Sequence, residues 1–246
     1  MDFTLTYLIK INLICTFYRN VTPGGLGGYL RIFYLRKKSK ASLEKCIVNM
    51  LLDIVTGSTS GFLLATIGVI FFMDVLPGVF YVFFIYLVLN ATALVIFIKK
   101  RSGSKILKIF IRPFIPKKYK EKIDKTFEKF YDDIPKLRDL IIPYLLEFVI
   151  WAILALQVYI ISLPFSLGIP FHIFFLIHTI SSAAIMILPI TVAGLGVREG
   201  AFVILLSTYG IAPEIAVVIS LSGFIVKMII PTFVGMIMSL KKESIL

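Results

Sequence analysis

Charged residues are scarce in this chain, at 16% of its 246 residues, where an average soluble domain has about 25%. Hydrophobic residues make up 59%, and so apolar a chain cannot keep a polar surface in water, which excludes a soluble globular domain. The two cysteines, Cys15 and Cys46, have no paired spacing. A disulfide framework and a cysteine-ligated metal site are therefore not indicated, and both residues are expected to pack in apolar segments. Strands of alternating polarity are lacking as well, which excludes a transmembrane β-barrel.

The sequence instead contains long apolar runs. A hydrocarbon core about 30 Å thick requires roughly 20 apolar helical residues, and backbone inside lipid must satisfy its own hydrogen bonds. Four runs meet this length, and a fifth, 171–189, is marginal. The four predicted membrane spans are 46–72, 78–98, 140–163 and 214–240. The sequence therefore predicts an all-α fold, a polytopic helical membrane bundle that forms one domain over 1–246.

Positive charge is concentrated in the segment 99–140, which holds 14 Lys and Arg against 6 Asp and Glu in a chain of net charge +12. Because this segment joins two predicted spans, its expected partner is the anionic lipid of the cytoplasmic leaflet, and no nucleic-acid partner is expected. Lys and Arg also gather in 31–45 and at Lys241 and Lys242. Basic loops stay on the inner side of a membrane. This distribution predicts a multi-pass cell-membrane protein whose C-terminus and 99–139 segment are cytoplasmic.

An amphipathic helix is predicted within this basic linker, because apolar residues recur at spacings of three and four. They are Ile123, Phe127, Phe130, Ile134, Leu137 and Ile141. One interpretation is a helix that lies on lipid headgroups, and the other is a cytoplasmic helix packed against its own bundle. The linker 99–139 separates two halves of the domain, 1–98 and 140–246.

Glycine and proline interrupt the apolar sequence in two regions, 22–28 and 189–200. Such clusters break helices, and the apolar runs that flank them are too short to span a membrane fully. Broken backbone at membrane depth occurs only where it is buried in protein or lines a cavity. Each region therefore predicts a re-entrant hairpin, which enters the membrane and leaves it on the same side.

The two glycine regions look like copies of each other. Gly-Leu-Gly triplets occupy 25–27 and 194–196, at an offset of 169 residues. The stretch after the first triplet leads into a basic loop, whereas the stretch after the second has to lead outward, because the span 214–240 ends at the inner side. The sequence thus predicts an inverted repeat whose two breaks meet near the midplane, as in many secondary transporters.

Several charged residues are candidates for binding an anion. Broken helices expose N-termini with free N–H groups and partial positive charge, which suit a phosphate or carboxylate. Arg198 is either a bidentate phosphate donor or half of a local ion pair with Glu199. Arg31 is either a second phosphate contact or an anchor at the cytoplasmic interface. Lys227 lies centrally in its span, where charges mark transport pathways, and Asp53 is its candidate partner.

Other polar residues receive structural interpretations. Glu147 is expected to snorkel toward the cytoplasmic end of its span, and His178, like His172, to be a polar packing residue. Gly57 and Gly61 form a face of small residues, which indicates close helix packing. No cluster of His, Cys and carboxylates supports a metal site, and no Ser/His/Asp order supports hydrolysis.

Both glycine regions resemble conserved blocks of the lysylphosphatidylglycerol synthase transmembrane-region family. The stretch 189–200 is similar to that family's signature, with matching spacing to the spans of Trp151 and Lys227. The stretch 22–27, with Arg31 and Asp53, is similar to its first conserved block. The chain departs from the pattern at Gly28, where an acidic residue is usual, at Asn49 and Met50, which replace a Glu-Arg pair, and at Lys227, where Arg is typical.

This resemblance implies a polytopic membrane domain that handles lipid. In some family members the domain flips aminoacylated phospholipid and is fused to a soluble synthetase, whereas many stand-alone members have no assigned substrate. The 246 residues contain no synthetase domain, so lipid aminoacylation is not implied.

The leading hypothesis is a lipid transporter or flippase-like protein, not an enzyme and without a cofactor, that binds an anionic or phospholipid headgroup in a midplane cavity. The candidate binding residues are Pro23, Gly25, Gly27, Arg31, Asp53, Gly194, Gly196, Arg198, Glu199 and Lys227. The alternative is a non-transporting scaffold subunit for an envelope or glycolipid biosynthetic enzyme, docked through 99–140. A third hypothesis, an intramembrane enzyme acting on polyprenyl-phosphate lipids, requires paired carboxylates that the sequence does not supply.

Overall fold

The computed structural model of the chain describes residues 4–98, 137–188 and 194–240, and these residues form helices without strands. The α-helices are α1 (Leu5–Val21), α2 (Leu30–Ser39), α3 (Leu43–Phe71), α4 (Pro77–Ile98), α5 (Ile141–Ser162), α6 (Phe171–Ile187), α7 (Val197–Ser207), α8 (Pro213–Phe224) and α9 (Ile230–Leu240). A 3-10 helix, Pro23–Tyr29, joins α1 to α2, and a π-helical segment, Ile225–Ile229, joins α8 to α9. Most of the predicted amphipathic helix, 123–141, lies outside the described residues.

Four helical stretches of the described chain are long and apolar enough to cross a membrane. They are Leu43–Phe71, Pro77–Val95, Arg138–Phe165 and Pro213–Leu240. These stretches agree with the four predicted spans to within a few residues, so the prediction of a helical membrane bundle is confirmed. The last of them runs through α8, the π segment and α9. Helix α6 has 17 residues and corresponds to the run of marginal length.

Local sequence explains where several of these helices begin and end. The Ser42 hydroxyl caps α3 by accepting a hydrogen bond from the Lys45 amide at 3.2 Å. Proline opens α4 at Pro77 and α8 at Pro213, in the first turn, where a missing N–H loses no helical hydrogen bond. Helix α2 stops at Lys40, whose φ of 55° is left-handed. Short-range signals, and not hydropathy alone, therefore bound the helices.

Helices α3 and α6 form the centre of the bundle. Their side chains, among them Phe62, Val69 and Phe174, belong to one buried cluster that also takes in residues of α4, α5, α7 and α8. Cys15 and Cys46 are free thiols buried in α1 and α3, as expected. Helices α4 and α5 instead leave most of their apolar surface outside the core. In a membrane bundle this outer surface faces hydrocarbon.

A pair of packed helices flanks each glycine-interrupted region, and each pair is called a hairpin below. In the first, the Tyr7 hydroxyl near the start of α1 donates to the Tyr34 carbonyl in α2 at 3.1 Å, and Lys38 Nζ lies 5.5 Å from the centre of the Tyr7 ring. In the second, α6 and α7 lie side by side, with the ring centres of Phe174 and Phe202 6.1 Å apart. The end of each hairpin thus returns close to its beginning.

The first glycine of each triplet has nearly the same backbone conformation. The φ angles of Gly25 and Gly194 are 71° and 74°, in the left-handed region that favours glycine. The third glycines differ: Gly196 also has a positive φ, of 89°, whereas at Gly27 a Cβ atom would collide with the backbone of Tyr18. The triplets therefore resemble each other in the turn that they begin, and less in the packing that follows.

Helix α1 packs against α9, which joins the two ends of the described chain. Asn20 Nδ2 donates to Thr232 Oγ1 at 2.6 Å, and the hydroxyls of Tyr18 and Ser239 are 2.8 Å apart. Gly235 brings the backbones together, because a Cβ there would collide with a backbone carbonyl of α1. The first hairpin is thereby attached to the last membrane span.

Close packing between α3 and α5 makes a glycine substitution costly. Gly57 and Gly61 face α5, as predicted, and a Cβ on Gly61 would lie 2.6 Å from Cζ2 of the buried Trp151 ring. We expect Gly61→Ala to lower the free energy of unfolding by about 1–3 kcal/mol, the usual cost of overpacking a core. The measurement is thermal unfolding of the purified protein in detergent. Gly78→Ala is the control, because a Cβ on this α4 glycine meets no atom within 4 Å; equal melting temperatures for the two variants would contradict the packing argument.

Candidate functional site

Polar side chains meet in a cavity of about 480 Å³ inside the bundle, a volume in the range of small-molecule sites. Its walls come from α1, α3, α5, α6, α7, α8 and the π segment. The charged residues that line it are Arg19, Glu147, Arg198 and Lys227, and the uncharged polar ones include Thr16, Asn20, His178, Ser182 and Ser220. Three basic side chains and one carboxylate thus face one space, with contributions from both halves of the chain.

Arg198 is held in a hydrogen-bonded network at the start of α7. Its Nη2 and Nε lie 2.6 and 3.1 Å from Glu199 Oε1, and Nε also donates to Ser220 Oγ at 3.0 Å. The Ser220 hydroxyl donates to the same Glu199 oxygen at 3.0 Å. The guanidinium carbon lies 4.8 Å from the centre of the Phe224 ring. The ion pair with Glu199, one of the two interpretations of the sequence, therefore forms, and Arg198 still lines the cavity.

Glu199 also binds the backbone where the glycine break ends and α7 begins. Its Oε2 accepts a hydrogen bond of 2.6 Å from the Gly196 amide, so the carboxylate caps the N-terminus of α7. The side chains of Arg198 and Glu199 are each only 11% exposed. Glu199 lies behind Arg198 and is not part of the cavity lining. It orients the arginine and is not placed to contact a bound anion.

Lys227 and Arg19 are the cavity's uncompensated cations. Within the described chain neither side chain has an ion-pair or hydrogen-bond partner, and both are exposed where they line the cavity. Lys227 belongs to the π-helical segment, a distortion that is frequent at functional sites. Glu147, expected to snorkel, instead lines the cavity and lies against Gly57 of α3.

Asp53 pairs with Arg31 and not with Lys227, so that prediction was wrong. Arg31 Nη1 lies 2.8 Å from Asp53 Oδ2, and the two side chains are 26% and 53% exposed. The pair borders a second, smaller cavity of about 280 Å³, which Arg19 also lines. Asp53 lies in the third turn of α3, beside α2, and outside the large cavity. Of the predicted binding residues, Arg198 and Lys227 line the large cavity, and Gly25, Arg31 and Asp53 line the smaller one.

The glycines of the first motif lie against the C-terminal end of α1. The Gly27 amide donates to Thr22 Oγ1 at 2.7 Å, within the 3-10 helix that Pro23 opens. Gly25 leaves room for the stem of Arg19, since a Cβ there would lie 3.4 Å from Arg19 Cγ. Gly25 also lines the smaller cavity, whereas neither Gly25 nor Gly27 lines the large one. The motif acts on the large cavity through Arg19.

The second motif separates the polar cavity from an apolar groove. Gly196 and Gly200 line a groove of about 510 Å³ between α4, α6 and α7, together with aliphatic and aromatic side chains such as Val79, Phe83 and Ile204. A Cβ on Gly200 would meet no atom within 4 Å, so the groove is open at that point. Polar and apolar spaces therefore flank the same first turn of α7.

The large cavity also contains residues that sequence reasoning missed. Arg19 and Asn20 directly follow the apolar flank 3–18, and a basic residue three positions before the Thr-Pro-Gly break was an available signal. His178 was interpreted as a packing residue, and its place on the cavity wall depends on which face of α6 turns inward. His, Cys, Asp and Glu residues of the described ranges do not gather in any group of three that could hold a metal ion.

The family model described as the lysylphosphatidylglycerol synthase TM region matches residues 1–235. The chain belongs to this family. The match covers both hairpins, three of the long spans, most of the fourth and the whole lining of the large cavity, so the resemblance noted in the two glycine regions extends over nearly the entire sequence. Comparison with curated proteins and with solved structures gives no significant match. Membership in the family therefore supports a membrane domain, and the ligand is inferred from the residues that line the cavity.

Proposed function

We propose that this member of the lysylphosphatidylglycerol synthase transmembrane-region family moves phospholipid between the leaflets of the cell membrane, without catalysing a covalent step. The anionic phosphate of the headgroup would lie in the large cavity. One observation carries the proposal: Arg19, Arg198 and Lys227 face a single cavity in which Glu147 is the one acidic lining residue among the described ones. A phosphate would supply the negative charge that Arg19 and Lys227 lack, beside the paired Arg198.

The energetics of charge in a membrane support this assignment. A basic residue at the centre of a membrane helix costs about 2.5–3.5 kcal/mol on insertion scales. Lys227 has no partner in the described chain that offsets this cost, so its position is explained by a ligand of opposite charge. Arg198 is held by Glu199 and by the Phe224 ring, and it presents a fixed guanidinium, the geometry that suits a phosphate.

We further propose that the two hairpins are re-entrant and inverted. Three residues separate α2 from α3, so the first hairpin opens at the start of α3. Tyr209, two residues after α7, lies 6.5 Å from Phe72 at the end of α3, measured between ring centres. The second hairpin therefore opens at the opposite end of the same span. We assign the cytoplasmic side from charge: the basic segment 31–45 lies where the first hairpin meets α3, and basic loops stay on the inner side of a membrane. The C-terminus and the 99–139 segment would lie on that side.

The apolar groove would hold the acyl part of the lipid. A phospholipid is amphiphilic, and the first turn of α7 has the charged cavity on one side and the groove on the other. The headgroup would pass through the cavity while an acyl chain stays in contact with apolar surface. The scaffold hypothesis does not require either space, since its docking surface is the segment 99–140.

Lipid movement in reconstituted vesicles tests the proposal. The vesicles would contain phosphatidylglycerol with a fluorescent group on an acyl chain, so that the headgroup is unmodified, and a membrane-impermeant reductant would bleach the outer leaflet. We expect protein-containing vesicles to lose the inner-leaflet fluorescence as well, whereas protein-free vesicles retain it. Retention of the inner-leaflet signal with the protein present would contradict lipid transport and would favour the scaffold subunit, for which co-purification of a membrane enzyme is the corresponding measurement.

A further inference from the structure

His178 has an unusual environment for a buried polar residue. It lies in α6, is 3% exposed, and lines the large cavity. Both ring nitrogens, Nδ1 and Nε2, are buried and have no hydrogen-bond partner within the described chain. The great majority of buried polar side-chain atoms in proteins are paired, and leaving one unpaired is costly. Two unpaired nitrogens on one ring at a cavity wall are unsatisfied by the described protein, and a molecule in the cavity is the partner that a turn of the ring would reach.

The chemistry of the ring restricts what that molecule is. A neutral imidazole has one N–H donor and one acceptor nitrogen. A phosphate diester supplies hydrogen-bond acceptors only. These acceptors also suit Arg198, Lys227 and Arg19, which line the same cavity. The acceptor nitrogen of His178 needs a hydrogen-bond donor, and so does the carboxylate of Glu147. A hydroxyl or ammonium group attached to the phosphate would supply such a donor.

We propose that His178 is a specificity-determining residue, which selects a phosphodiester whose headgroup carries a hydrogen-bond donor. This inference rests on the proposed function and refines it: the basic side chains bind the phosphate, and His178 with Glu147 reads the group beyond it. Phosphatidylglycerol, with two hydroxyls, fits this site. Phosphatidylmethanol has the same charge and the same acyl chains but lacks the donor, and it is therefore the matched comparison.

The test is a competition between these two lipids, with equal acyl chains and equal concentrations, for the full chain in neutral detergent. Native mass spectrometry would give the ratio of the two bound forms. One hydrogen bond in a buried site corresponds to a preference of about two- to tenfold, and we expect wild-type protein to prefer phosphatidylglycerol by that factor. His178→Phe keeps a ring of similar shape without either nitrogen, and its ratio is expected to fall close to one.

Two further variants distinguish hydrogen bonding of His178 to the headgroup from a role of its ring in packing. His178→Gln retains a donor and an acceptor and is expected to keep part of the preference. His172→Phe changes the exposed histidine of the same helix, outside the cavity lining, and is expected to keep all of it. A preference that survives in His178→Phe would overturn the inference. Equal binding of the two lipids by wild-type protein would also overturn it, and that comparison does not depend on any variant that has to fold.

The same experiment distinguishes failure of this inference from failure of the proposed function. If wild-type protein binds neither lipid, the proposed function itself is contradicted, and the inference with it. If it binds both lipids equally, lipid binding stands and the role of His178 does not. Glycerophosphoglycerol, the water-soluble headgroup alone, is the third competitor: displacement of lipid at similar concentrations would show that the site binds a soluble phosphodiester as well as it binds lipid, which contradicts the lipid as the ligand and, with it, the inference.

Discussion

Replacement of Arg198 by alanine is expected to destabilise the protein by about 3–5 kcal/mol, the usual effect of removing one partner of a buried ion pair. Glu199 would remain 11% exposed without its counter-charge, and the Ser220 hydroxyl would lose one of its two partners. The melting temperature in detergent measures this effect. Lipid movement should be abolished in whatever fraction stays folded, because the fixed guanidinium of the cavity is gone.

A double variant separates the structural from the functional part of this loss. Arg198→Met with Glu199→Gln removes both charges, and replacing a buried ion pair as a whole is often close to neutral for stability. We expect the double variant to recover most of the melting temperature of the wild type and none of its lipid movement. A single variant as stable as the wild type would show that the Arg198–Glu199 pair does not stabilise the second hairpin. A double variant that transports normally would remove Arg198 from the site.

Replacement of Lys227 by methionine is expected to slow lipid movement without lowering stability, unlike replacement of Arg198 by alanine. Lys227 has no hydrogen bond or ion pair within the described chain, so its loss should leave the melting temperature unchanged or raise it. A charge-assisted hydrogen bond contributes about 1.5–3 kcal/mol, which corresponds to a roughly 10- to 100-fold lower rate of lipid movement. The vesicle assay gives the rate, and thermal unfolding of the same preparation gives the stability.

Two controls make the Lys227 result specific. Lys227→Arg keeps the charge and is expected to retain most of the rate. Lys45→Met removes an exposed lysine of the first turn of α3, outside both cavities, and is expected to change neither rate nor stability. If Lys227→Met transports as fast as the wild type, or if Lys45→Met is equally impaired, the effect is one of overall charge and not of the cavity.

The membrane spans could be predicted from the sequence because lipid imposes a simple requirement of length and hydropathy on each helix by itself. Arg198 and Lys227 could be selected for a related reason, since charge in such a segment needs an explanation. The partner of Asp53 could not be predicted in this way. Which side chains pair depends on how helices are placed around the bundle, and hydropathy does not contain that information: Asp53 meets Arg31 of the neighbouring α2.

Arg19 and His178 illustrate two different limits of sequence reasoning. Arg19 directly follows an apolar run, and hydropathy describes the run without indicating where the next charged side chain points. Histidine in an apolar helix is most often a packing residue, and only the structure shows that both nitrogens of His178 lack a partner in the described chain. A missing contact leaves no trace in a residue pattern.

The π-helical segment Ile225–Ile229 constrains how the length of this chain can change in evolution. A π segment accommodates one extra residue within an α-helix, and each residue of a helix turns the chain by about 100°. A single-residue deletion there would turn the π segment into regular α-helix and keep Thr232 and Gly235 facing α1, which they contact. The same deletion elsewhere in α8 or α9 would rotate one part of the last span against the other by about 100°. A lost residue should therefore be tolerated at this position more often than elsewhere in the last span.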